Sequence, residues 1–287
     1  MSLNDYRPLP APPAVLVFAA SDPSSGAGMQ ADLLTLASMG CHPLSVMTAL
    51  TVQDTTGVDD MLVFDAEWIV DQARCILEDV PVAVFKLGVL GSVEAIAAIA
   101  EIVSDYPEIP LILDPVLSSG RGDELANEDM IAALRELIIP QTTLITPNTL
   151  ELLRLVHDEE QGEEDTDGPV DVDECAARLL DLGCEYVLVT GTHRATPKVI
   201  NTLYHRDGKV REDTWDRLPG SYHGSGCTLA SAIAAGIAQG LELPDAVREA
   251  QEYTWQALRA GYRLGMGQFI PDRMFWARDD IPGGGAS

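Results

Sequence analysis

Through most of the chain, short apolar runs alternate with stretches whose apolar residues recur at helical spacing. Residues 15–20 form the first run, which ends at Ser-Asp-Pro-Ser-Ser-Gly-Ala-Gly, so a buried strand followed by a glycine-rich turn is predicted. Apolar positions spaced over 29–39 and stopped by Gly40 predict a helix. The order continues with strands over 44–50, 83–87, 111–113, 143–145 and 186–189. Helices are predicted over 67–78, 93–104 and 128–137, from 149, and over 172–182. Strands that are apolar at nearly every position are buried on both faces. Repeated strand-then-helix order therefore predicts an α/β fold, with a mostly parallel sheet between two helical layers.

The alternation breaks once. Residues 199–205 and 210–215 flank Arg206-Asp207-Gly208-Lys209, a hairpin signal, and helices over 228–239 and 244–264 follow with no strand between them. There is no internal repeat and no long linker, so a single domain over 14–275 is expected between flexible ends, 1–13 and 276–287. The acidic stretch 158–174 lacks calcium-loop spacing and is expected to be a solvated surface loop.

Composition narrows the class. The 287 residues are 46% apolar and 6% aromatic, ordinary for an α/β domain. No run reaches the ~18 apolar residues of a membrane span. Residues 1–13 are polar and proline-rich, unlike a signal peptide, so a cytoplasmic location is expected. The five cysteines are scattered and never form C-x-x-C, which argues against a disulfide framework or structural zinc. The net charge is −27, and among 18 basic residues only Lys86, Lys198 and Lys209 are lysines. Such a surface repels nucleic acid and anionic membranes. Adaptation to high salt explains it more simply than a specific basic partner does.

In open parallel sheets, ligands sit beyond the carboxyl ends of the strands. Four unusual segments fall there: 21–28, 114–122, 146–151 and 224–227. The last, Gly224-Ser225-Gly226-Cys227, immediately precedes an alanine-rich helix. Glycines admit close backbone approach, and the first N–H groups of a helix lack internal partners, so the segment suits an anion. Asp22 fits a turn as readily as a site. His193 and His223 read as surface residues.

Several blocks together resemble the hydroxymethylpyrimidine/phosphomethylpyrimidine kinases of thiamine biosynthesis. They are 20–32 and 47–55, Lys86-Leu-Gly-Val-Leu-Gly-Ser92, Asp114-Pro-Val116, Ile145-Thr-Pro-Asn-Thr-Leu-Glu151 and Gly224-Ser-Gly-Cys227, in family order over about 15–268. The resemblance implies a ribokinase-like three-layer αβα sandwich, ATP and Mg²⁺ as cofactors, a small pyrimidine alcohol as substrate, and a homodimer. It makes Cys227 the base beside the acceptor hydroxyl, with Gly224, Ser225 and Gly226 completing an anion hole. Asp32, Gln53, Val89 and Val116 would hold the pyrimidine. Asp114 and Glu151 would serve Mg²⁺, and Asn148, Thr190 and Gly191 the nucleotide. Two family lysines are missing, at Thr190 and within Ser118-Ser-Gly-Arg121, so Arg121 is expected to supply positive charge near the phosphates. Val89 stands where a Met often packs on the ring. Rival readings are a pyridoxal/pyridoxine kinase, a silent ligand sensor that keeps the fold, and an enzyme using Cys227 as a covalent nucleophile.

Overall fold

The computed structural model describes residues 10–157, 171–191 and 196–278. Its strands are β1 (Ala14–Ser21), β2 (His42–Gln53), β3 (Val58–Val63), β4 (Val82–Leu87), β5 (Leu111–Leu113), β6 (Leu144–Ile145), β7 (Tyr186–Val189), β8 (Lys198–His205) and β9 (Gly208–Asp216). The helices are α1 (Gly28–Ser38), α2 (Ala66–Leu77), α3 (Val93–Ser104), α4 (Glu128–Ala133), α5 (Thr149–Val156), α6 (Val172–Asp181), α7 (Ser225–Ala238) and α8 (Leu243–Arg259).

The nine strands among the described residues join one sheet in the order β3-β2-β1-β4-β5-β6-β7-β8-β9. From β2 to β7 neighbours run parallel, while β3, β8 and β9 are antiparallel additions at the two edges. Alternation along β1 shows why both faces are dry. Leu16 and Phe18 pack with Phe85, Ile96 and Ile99 on one face, and Val15 and Val17 pack with Leu36, Ile233 and Val247 on the other. The first cluster lies under α2 to α6, the second under α1, α7 and α8. These are the two helical layers that the apolar runs require.

Most predicted elements form close to their expected limits, with four differences. Strand β3 was not anticipated. It is an edge strand of sequence Val-Asp-Asp-Met-Leu-Val, in which the exposed acidic pair interrupts the apolar positions and leaves neither a long apolar run nor a clean alternation. Helix α7 begins at Ser225 rather than 228, which places Cys227 inside its first turn. Helix α8 ends at Arg259 rather than 264, because the chain turns at Gly261 and folds back, pairing Tyr262 with Ile270. Finally, Phe275–Ala277 forms one helical turn, and the Trp276 indole donates to Ser38 Oγ, inside the segment expected to be flexible. Residues 158–170 of the acidic stretch lie outside the described residues. Asp171 caps α6, and Asp173 and Glu174 occupy its first turn, a favourable place for negative charge.

Candidate active site

The parallel strands end along one rim, and the turn after each supplies part of a cavity of about 450 Å³. After β1 comes the turn 22–27. Asp22 is fully buried and organises it, accepting from Ser24 N–H at 2.8 Å and Ala27 N–H at 2.7 Å and pairing with His223 Nε2 at 2.9 Å. Burial pushes the Asp22 carboxyl up, but these hydrogen bonds more than offset it and hold the group below its ordinary value. His223 therefore lines the cavity with a buried carboxylate behind it, contrary to its reading as a surface residue. His193 lies outside the described residues.

The chain enters α7 through Gly224, whose φ of 76° suits glycine. A Cβ at 224 would lie 2.0 Å from the Gly26 carbonyl oxygen, so the two glycine-rich segments touch backbone to backbone. Ser225, Gly226 and Cys227 form the first turn of α7, so their N–H groups are not used within the helix. Burial and the neighbouring Asp114 push the Cys227 thiol well above its ordinary range. Lys86 and a hydrogen bond from the Gly28 backbone act the other way.

Asp114 follows β5 and is 4% exposed, and its Oδ2 has no hydrogen-bond partner. Glu151 sits in a capping box at the start of α5. Asn148 Oδ1 accepts from Leu150 and Glu151 N–H, and Glu151 Oε2 accepts from Asn148 N–H at 2.9 Å. Burial, with a contribution from Asp114, pushes the Glu151 carboxyl up to about 8. Among the described residues no group of three or more His, Cys, Asp or Glu side chains is arranged to hold a metal. An orphaned carboxylate oxygen beside a second buried carboxyl nevertheless fits Mg²⁺. That ion takes one or two carboxylates and completes its shell with water and phosphate oxygens.

The cavity wall also includes Gln53, Val89, Val116 and Thr190, so most of the residues singled out in the sequence converge. Gln53 ends β2 with its Nε2 donating to Thr51 Oγ1 at 2.7 Å. Gly191 stands just behind the wall. Its N–H donates to Asn201 Oδ1, and a Cβ there would meet the Ile200 carbonyl oxygen at 2.2 Å.

Two residues are placed otherwise. Asp32 does not reach the cavity. Fully buried on α1, it accepts from Lys86 Nζ at 2.9 and 3.0 Å and from Ser231 Oγ at 2.7 Å. An acidic side chain facing the sheet is drawn to the nearest buried cation rather than to the pocket. Arg121 is half-exposed and committed to its own turn, with Nε donating to both Asp123 carboxylate oxygens and Nη2 to the Val58 carbonyl. It is not part of the cavity wall.

Sequence reasoning assigned no role to Lys86, which is completely buried, within 3.6 Å of Asp114 Oδ2 as well as bound to Asp32. Burial disfavours its charge, but Asp32, Cys227 and Asp114 more than offset that and hold the ammonium above its ordinary value. A single lysine inside the apolar run Val-Ala-Val-Phe-Lys-Leu was the available signal. No such signal marked another part of the cavity wall. There the Trp215 and Trp255 rings lie 6.3 Å apart, and the buried Gln251 Oε1 accepts from both Asn201 Nδ2 and Trp215 Nε1 at 2.9 Å. These residues are scattered over two strands and a helix.

A helix start open to an anion, an adjacent buried carboxylate pair and a mostly parallel sheet in three layers define a ribokinase-like phosphotransferase. The pattern of the family described as Phosphomethylpyrimidine kinase matches residues 22–272. The chain is 37% identical over 260 residues to the hydroxymethylpyrimidine/phosphomethylpyrimidine kinase of Streptomyces coelicolor, covering 89% of this chain and 92% of that one. It thus belongs to the phosphomethylpyrimidine kinase family. Among solved structures it resembles the phosphomethylpyrimidine kinase of Clostridium difficile, with 31% identity, a TM-score of 0.70, and 85% and 99% of the two chains covered. The pyridoxal kinase of Staphylococcus aureus in complex with ADP overlays at a TM-score of 0.83 with 27% identity, covering 94% and 96%.

Proposed function

We propose that this protein transfers the γ-phosphoryl group of ATP to the primary hydroxyl of 4-amino-5-hydroxymethyl-2-methylpyrimidine, and then phosphorylates the monophosphate to the diphosphate, in thiamine biosynthesis. The observation that carries this reading is the single cavity lined by both Gln53 and the Cys227 end of α7. The Gln53 amide offers a donor and an acceptor to an aminopyrimidine edge. In the same cavity, the acceptor hydroxyl would lie beside Cys227 Sγ. The N–H groups of Gly224, Ser225, Gly226 and Cys227 would face the charge developing on the transferred phosphoryl. Mg²⁺ held by Asp114 and Glu151 would neutralise phosphate charge and the Asp114 repulsion that adds to burial in keeping the Cys227 sulfur protonated. Asn148 and Thr190 fit the nucleotide phosphates, and the Trp215–Trp255 wall fits a flat base. Phosphoryl transfer of this kind rests mostly on positioning and charge stabilisation.

Pyridoxal phosphorylation is the second reading, favoured by the overlay on the pyridoxal kinase. Incubation with ATP, Mg²⁺ and the pyrimidine alcohol, its monophosphate or pyridoxal, with products read by mass, separates the two. The pyrimidine diphosphate is expected, and turnover of pyridoxal alone would overturn the reading.

A single-domain cytoplasmic homodimer accompanies this function. Five free cysteines fit a reducing compartment, and no helix among the described residues is long and apolar enough to cross a membrane. For the dimer, Leu50 and Val52 of β2 and Leu62, which pairs with Leu50 from β3, are exposed on one face at the sheet edge. Sedimentation of Leu62→Asp should show a monomer beside a wild-type dimer. Equal masses would remove this edge as the interface.

A further inference from the structure

Among the described residues, Arg273 is one of two lysines and arginines buried to 3% exposure or less, the other being Lys86. It follows the return of the chain after α8, and its backbone is anchored independently of its side chain. Its carbonyl accepts from Ser38 Oγ of α1 at 2.6 Å and from Tyr253 Oη of α8 at 2.7 Å, and the preceding Asp272 N–H donates to the Ala257 carbonyl. The guanidinium is thereby aimed inward. Nη2 donates to the Gly26 carbonyl at 2.6 Å, Nη1 to the Ser25 carbonyl at 3.3 Å, and Nε to Thr228 Oγ1 at 3.0 Å. All three partners are neutral. Burial pulls the guanidinium below its ordinary value, opposed chiefly by Cys227 and Asp32 nearby.

Those partners belong to two segments that meet at the site. Ser25 and Gly26 lie in the turn after β1, whose Gly28 N–H reaches Cys227, and Thr228 is the residue after Cys227. Gly224 rests directly on the Gly26 carbonyl, and on the cavity side the same segments are joined by Asp22 and His223. The planar fork spans both from behind, which a lysine cannot do because its donors radiate from one atom.

We propose that Arg273 is a positioning residue for phosphoryl transfer: its guanidinium locks the 25–28 turn against the first turn of α7 and so fixes Cys227 and the anion-hole N–H groups. This rests on the function proposed above. A misplacement of ~1 Å in such a group costs about 10²-fold in rate. Hence Arg273→Gln and Arg273→Lys should lower kcat by ~10–100-fold while KM for both substrates moves less than ~3-fold. Thr228→Val, which keeps the side-chain shape but removes the Nε acceptor together with the Thr228 Oγ1 hydrogen bond to the Gly224 carbonyl, should lower kcat by roughly 3–10-fold. The double variant should be slower than Arg273→Gln by a smaller factor than Thr228→Val costs alone, because the Nε–Oγ1 contact they share is already lost. Hydrogen exchange gives a readout that needs no substrate. Amides of 21–28 and 222–228 should exchange ~10-fold faster in Arg273→Gln, with those of β4 and β5 unchanged. A uniform rise over the whole chain, or wild-type exchange in those two segments, would overturn the positioning role, as would kcat within twofold of wild type in folded Arg273→Gln. If the Arg273 variants do not fold, Thr228→Val decides, and kcat within twofold of wild type defeats the proposal. A wild-type protein without pyrimidine turnover would instead defeat the proposed function, leaving exchange to judge the lock.

Discussion

Cys227 stands where opposing influences meet. Burial and Asp114 favour its thiol, while Lys86 and the Gly28 N–H favour the thiolate. A base that must be freed of its proton contributes only when the rest of the site is filled. Cys227→Ala should therefore lower kcat by ~10²–10⁴ with little change in substrate affinity, as initial-rate kinetics would show. Wild-type turnover in the alanine variant would reduce Cys227 to packing. Glu151 allows a test without catalysis. The folded carboxyl keeps its proton to about pH 8, whereas the unfolded group releases it near 4.5, so folding takes up a proton between those values and stability falls as pH rises. Glutamine keeps the acceptor for Asn148 N–H and cannot ionise. In metal-free buffer, the melting temperature of Glu151→Gln relative to wild type should climb from pH 5 to pH 8 and then level off. A flat difference would show that Glu151 is ionised and already compensated.

At the scale of elements, the site is made from strand ends, and the turns after them must be held. Asp22 does this for β1, tying its turn to itself and to His223 ahead of α7. Its folded value lies below the unfolded 3.8, so the tie stabilises fully above pH 4 and fades as pH falls through the lowered value. Asp22→Asn should destabilise by about 1–3 kcal/mol at pH 7, the cost of weakening charge-assisted bonds in a buried place. The gap from wild type should shrink towards pH 3 in urea denaturation. A gap that stays constant would mean the loss is one of shape rather than charge. The capping box at α5 is the same device in shorter form, and it could be read from Asn-Thr-Leu-Glu alone because both partners lie within one turn.

The charge of −27 belongs to the whole molecule. The folded chain concentrates that charge and unfolding spreads it, so self-repulsion favours unfolding at low ionic strength. The Debye length falls from about 10 Å at 0.1 M to about 3 Å at 1 M salt, which removes most of the repulsion between exposed carboxylates. The melting temperature should rise substantially between ~0.1 and ~2 M NaCl, and by more than that of a less acidic relative, which controls for salting-out. An equal gain in both proteins, or a lower melting temperature here, would point to a basic partner instead. Since Lys86, Asp32 and Asp114 are buried, their interactions are screened little, and the site should survive the salt that relieves the surface.

What the sequence determined by itself is whatever short-range order encodes. Strands β1, β2 and β4 to β7, with the helices between them, were legible because burial on two faces demands continuous apolar runs and one-sided burial demands helical spacing, and β8 and β9 were legible from the turn residues between them. The glycine-rich start of α7 was legible because its signal lies within a few residues. Edge strand β3 was not, since its exposed acidic pair breaks the apolar positions into a run too short to read. Pairings across many residues were decided only by tertiary structure. Asp32 is turned from the pocket by Lys86, 54 positions away, Asp22 takes His223 across 201, and Arg273 reaches Gly26 across 247. The physical reason is desolvation. A buried charge must find a partner wherever the fold brings one, and that choice is made in space, after the chain has closed around it.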